Sequence, residues 1–149
     1  MNTENAPART ANAFRYHPLA LFAAGAVAVL VFHQGALTIL YGFGLVGRPF
    51  PVDPTWPLGI PQIWSITFWG GVWGILFGAV EPRFPRGAMY WIAAFLFGAI
   101  FPTLVFWFVV APLKGIPVAS GFALSRIWIG PLLNGAWGLG TALLLRWRG

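Results

Sequence analysis

The sequence predicts an all-α integral membrane protein of four transmembrane helices, built as two tandem helix hairpins that form a parallel repeat. Three observations predict it. Hydrophobic residues make up 58% of the chain and charged residues 8%, against roughly 25% charged in soluble domains. The apolar residues gather into four stretches, each near the ~20 residues that cross about 30 Å of hydrocarbon. Short connections rich in Pro and Gly separate them.

Taken in order, residues 1–17 (MNTENAPARTANAFRYH) are polar and lack periodicity, which predicts a tail outside the bundle. The four-helix transmembrane domain then occupies 18–149. Its first span runs over about 18–46, beyond the apolar region of a signal peptide, so it is expected to persist as a helix. It is long enough to tilt. The connection GRPFPVDPTWPLGIP carries five prolines. The second span covers about 60–80, with Pro61 in the first turn, where no intrahelical N–H is lost. EPRFPR is a tight turn. The third span, about 88–111, contains Pro102, and the fourth, about 125–145, contains Pro131. Both prolines are expected to bend their helices.

The halves echo each other. Ile63-Trp64 aligns with Ile127-Trp128, bringing Gly71, Trp73 and Gly74 over Gly135, Trp137 and Gly138. A nearly equal offset lays Phe32, Gly35, Ala36 and Phe43 on Phe95, Gly98, Ala99 and Phe106. An ordered match across two spans and a loop points to duplication. Units with an even number of spans share one orientation.

The tail, second loop and C-terminus hold Arg9, Arg15, Arg83, Arg86, Arg146 and Arg148, whereas the first and third loops hold Arg48, Lys114 and Arg126. Positive charge accumulates on the cytoplasmic side, which predicts a bacterial inner-membrane, multi-pass protein with both termini cytoplasmic. The net charge of +6 is scattered over helix ends, so no nucleic-acid partner is expected. Trp56, Trp64, Trp107 and Trp128 are expected at one interface and Trp91 and Trp147 at the other, with Trp69, Trp73 and Trp137 packing at depth.

Small residues recur every four positions: Gly70, Gly74 and Gly78 in the second span, and Gly130, Asn134, Gly138 and Ala142 in the fourth. Such stripes let helix backbones approach closely, within one chain or between chains. The expected partners are the lipid bilayer and a homo-oligomer or larger membrane complex.

Chemistry-bearing residues are few. Cysteine is absent, and the three acids, Glu4, Asp53 and Glu81, lie outside the spans. No hydrolase or phosphate-binding motif occurs, so a non-enzymatic protein is expected. His33 and Gln34 fall mid-span, where an ionisable residue is a functional candidate. Their chemistry fits haem b or quinone binding, although a bundle without a cofactor is the simpler expectation. A second haem ligand would have to be His17 or come from another chain.

The strings Phe32-His33-Gln34-Gly35, Pro49-Phe50-Pro51 and Pro61-Gln62-Ile63-Trp64-Ser65, with Phe68-Trp69-Gly70-Gly71-Val72-Trp73-Gly74, resemble small uncharacterised four-span membrane proteins of proteobacteria. The resemblance covers roughly the first hairpin and implies no activity. The expected function is a non-enzymatic accessory or assembly subunit of a larger respiratory or photosynthetic inner-membrane complex. A small homodimeric channel or carrier for a neutral or lipophilic solute, and a haem- or quinone-binding redox subunit using His33, are the alternatives.

Overall fold

A computed structural model of the chain describes residues 16–147. The tail expected at 1–17 therefore lies almost wholly outside the described residues. Four long helices form an all-α bundle: α1 (Pro18–Gly42), α2 (Gln62–Val80), α3 (Ala88–Leu113) and α4 (Ile129–Trp147). Three of them are long and apolar enough to cross a membrane: α1, α2 with the 3-10 turn that extends it to Arg83, and α3. This helix composition is consistent with a membrane protein.

Helix α4 differs for a physical reason. Asn134, Thr141, Arg146 and four glycines interrupt its apolar residues, and Gly135, Gly138, Gly140 and Thr141 are buried. A helix that faces other helices needs small residues for close approach more than it needs a uniformly apolar surface.

Local chemistry sets the helix ends. His17 caps α1, its Nδ1 accepting the Leu19 N–H at 3.2 Å, with Pro18 at the first helical position. Pro61, in an extended conformation, leads into α2, and Gly87 at φ 68° leads into α3. Between α1 and α2 the chain makes a short antiparallel ladder of β1 (Pro54–Thr55) and β2 (Ile60–Pro61).

Helix α1 packs on α2, α3 packs on α4, and α1 touches α4 between the two pairs. Glycine makes both crossings possible. The Leu21 carbonyl and Gly25 lie against Gly74, and the Gly70 carbonyl and Val29 close the same seam. In the second pair, the Ala94 carbonyl and Gly98 lie against Gly138, with the Asn134 carbonyl beside Gly98. Gly71 faces the Phe22 ring just as Gly135 faces Phe95, and Gly78 faces Leu21. A side chain at most of these glycines would strike backbone or a ring. The stripe residues Gly70, Gly74, Gly78 and Gly138 are thus occupied inside the chain.

These contacts correct the repeat. In α2 and α4, Gly71 and Gly74 make contacts like those of Gly135 and Gly138. The offset for α1 to α3 does not hold. Phe22 and Gly25 take the packing places of Phe95 and Gly98, instead of Phe32 and Gly35. Gly35 has nothing near the place a side chain would take.

The prolines also behave differently from expectation. Pro131 falls in the first turn of α4, since that helix begins at Ile129, so it displaces no helical hydrogen bond. Pro102 stays within α3, and the helix widens into a π-helical turn over Phe106–Val110 just beyond it. Of the three tryptophans expected to pack, Trp137 is buried and Trp73 half-buried, but Trp69 is 56% exposed on the outer face of α2.

The core runs from Leu21, Ala24, Ala28 and Val29 through Phe77 to Tyr90, Ala94, Phe97, Trp137 and Leu145. Phe77 sits at its centre, edge-on to Phe84, Phe97 and Trp137. The Trp137 indole donates to the Gly25 carbonyl at 2.9 Å and joins the two pairs.

Candidate functional site

The His33–Gln34 candidate sits on a break in α1. Residues Val29–His33 form a π-helical turn, which carries one residue more than an α-turn and recurs at functional sites. Gln34 opens the following α-helical segment and is wholly buried. Its Oε1 accepts the Phe50 N–H at 2.8 Å, pinning the first loop to α1. Phe50 holds that position at φ 51°, a left-handed conformation unusual for an aromatic residue. Because Oε1 must face a donor, the amide orientation is fixed and Nε2 points elsewhere.

That Nε2 is buried without a hydrogen-bond partner, as are the His33 Nδ1 and the Thr67 Oγ1. Val29 meets Gly70 across the α1–α2 seam. His33, one turn further along α1, and Thr67, about one turn back along α2, therefore share one depth. Buried polar atoms normally find partners, so these three are the exceptions in the first helix pair. His17 does not join them. It lies sixteen residues before His33, about 24 Å along a helix. Among the described residues, no group of three His, Asp or Glu side chains could hold a metal ion.

The second pair carries a different arrangement. Asn134 donates through Nδ2 to Thr103 Oγ1 at 2.8 Å, linking α4 to α3. Both line a cleft of about 550 Å³ with Gly44–Gly47, Phe106, Trp107, Ser120, Arg126, Ile129 and Gly130. One wall is the π-helical turn of α3. Another is the turn Val118–Phe122, in which Ala119, Ser120, Gly121 and Phe122 all have φ between 47° and 68°. Left-handed conformations cost non-glycine residues about 1–2 kcal/mol each, and such strain gathers at functional sites. Residues of the first and third loops meet in this cleft and so share one end of the bundle.

At the other end, Glu81 is only 4% exposed and accepts the Tyr90 hydroxyl at 3.1 Å. The Arg146 guanidinium lies 4.6 Å from the Tyr90 ring centre and 5.6 Å from that of Trp91. This joins the turn after α2 to α3 and to the end of α4.

Sequence reasoning found His33, Gln34 and Asn134, and Thr67 and Thr103 as polar residues of the spans, but missed Arg126 and Ser120 as cleft residues and the burial of Glu81. Only Glu81 left a usable signal: it is an acid at a helix end in a chain with three acids. Comparison with protein-family models, with curated proteins and with solved structures finds no match to this chain.

Proposed function

We propose that the chain is a four-span, non-enzymatic subunit of the bacterial inner membrane that serves a larger complex as an accessory or assembly factor. In this reading its four helices are two tandem hairpins, its termini face the cytoplasm, and its first and third loops face outward. The observation that carries it is the division of chemistry between inside and outside. Four side-chain hydrogen bonds are made within the bundle: Trp137 to Gly25, Asn134 to Thr103, the Phe50 N–H to Gln34, and Tyr90 to Glu81. The outward face of α3 instead presents Ile92, Leu96, Ile100, Leu104 and Phe108 at four-residue spacing, each more than 40% exposed. A surface of that kind suits lipid and the apolar helices of a partner.

The glycine stripes are occupied within the chain, so a homodimer would have to form through another face, such as this stripe of α3. Solubilised gently and captured through an affinity tag, the protein is expected to bring membrane partners in fixed ratio, identified by mass spectrometry. Recovery as a single species from several mild detergents would remove the basis of the proposal.

A second reading, a quinone- or haem b-binding redox subunit, is favoured by the buried Gln34 Nε2, His33 Nδ1 and Thr67 Oγ1. A quinone carbonyl would accept from the Gln34 amide, and His33 offers a ring nitrogen. An absorption spectrum and a quinone assay on the same preparation test it. A colourless protein without extractable quinone would end it.

A further inference from the structure

The cleft between α3 and α4 has the composition of a site for an anionic head group attached to an apolar tail. Its lining contains one cation, Arg126, and no carboxylate. Among the described residues Arg126 makes no ion pair, and it is exposed at the cleft rim. Asn134 uses one amide hydrogen on Thr103. Its second amide hydrogen and its carbonyl oxygen stay available, as the donor inventory of an amide side chain requires. The indole N–H edge of Trp107 lies beside Gly130 on the same wall. The first turn of α4, at Ile129 and Gly130, also opens here, and a helix N-terminus favours negative charge.

The volume of about 550 Å³ lies in the range of small-ligand sites. It holds a glycerophosphate head and the first carbons of a chain, but no whole lipid. Phe106, Leu45 and Ile129 give the cleft apolar walls, and exposed Val105, Phe108 and Val109 continue that surface along α3. We infer that the cleft binds the phosphate head group of a membrane phospholipid, with Arg126 and Asn134 on the phosphate and the acyl chains running down the outside of α3. This rests on the membrane reading and is independent of the accessory role.

The test is native mass spectrometry of the full chain, delipidated in detergent and offered phosphatidylglycerol, diacylglycerol of the same chains, or glycerol 3-phosphate. Phosphatidylglycerol is expected to remain bound, and Arg126→Gln to lower its retention about tenfold, the scale of one charge-assisted hydrogen bond. Gly130→Leu, which fills the cleft without changing charge, is expected to lower it equally. Arg48→Gln, in the first loop but outside the cleft, is expected to leave it unchanged. Diacylglycerol and glycerol 3-phosphate are expected to bind at least tenfold more weakly. Equal retention in wild type and in both cleft variants, with unchanged circular dichroism, overturns the site. Diacylglycerol binding as well as phosphatidylglycerol overturns the role of phosphate. Glycerol 3-phosphate binding as well as phosphatidylglycerol overturns the lipid occupant in favour of a soluble phosphate. Any of these results leaves the co-purification test of the accessory role untouched.

Discussion

The α1–α2 and α3–α4 pairs solve one packing problem and then part company. Each crosses where a glycine of one helix lies on the backbone of the other: Gly25 on Gly70 and Gly74, Gly98 on Asn134 and Gly138. Around that shared crossing the polar groups differ. Asn134 occupies the place of Gly70 and bonds Thr103 across the second pair. Trp137 bonds the first pair through Gly25, whereas its counterpart Trp73 lies edge-on to Phe97 with ring centres 6.3 Å apart. The crossing tolerates one geometry, so the pairs agree there. Positions around it tolerate many, so there the pairs have diverged.

The largest expected effect breaks the agreement itself. Gly25→Ala and Gly98→Ala each place a methyl on backbone that cannot move aside, at a cost of about 1–3 kcal/mol or more. Unfolding by denaturing detergent should show similar losses for both, and a harmless Gly98→Ala would mean the pairs are not equivalent. Next comes Trp137→Phe, which removes a buried hydrogen bond and is expected to cost about 1–2 kcal/mol. Trp73→Phe, which loses no such bond among the described residues, should cost less in the same assay. Equal costs would show that ring size, rather than the Gly25 contact, is what matters.

Asn134→Leu and Thr103→Val are expected to cost about 0.6–2 kcal/mol each. A double-mutant cycle should return most of that as coupling, and additive losses would show that the pair does not bond. The smallest effect is a gain. Gly35→Ala meets open space within a helix, so it should raise stability by about 0.5–1 kcal/mol. A loss would restore Gly35 to the packing register.

That last variant touches the limit of what the sequence could tell. Composition and run length reveal α1, α2 and α3, the three helices long and apolar enough to cross a membrane. The stripes of α2 and α4 are legible because glycine has few other reasons to recur at four-residue spacing in a helix. The register of α1 is not. Phe-x-x-Gly-Ala occurs in it twice, at Phe22–Ala26 and Phe32–Ala36, and both copies match Phe95–Ala99. Ten residues turn an α-helix by about 1,000°, so the copies face different neighbours, and only the packing partner selects between them.

The site was half legible. His33 and Gln34 stand out as polar residues in an apolar run. The π-helical turns and the left-handed turn at Ala119–Phe122 have no local signature, since Ala and Phe ordinarily avoid positive φ. Arg126 looks like one more charge at a helix end until the third loop folds beside the first.

The bond from Trp137 to Gly25 spans 112 residues of chain, and this bears on how the protein is made. A ribosome delivers α1 and α2 long before α4 exists, and the glycine seam lets those two pair at once. The Gly25 carbonyl, which already takes the Val29 N–H at the start of the π-helical turn, must wait for α4 to emerge. Closure between the two pairs therefore follows the synthesis of α4, and a chain stopped before Trp137 would leave the Gly25 carbonyl without the indole that joins them.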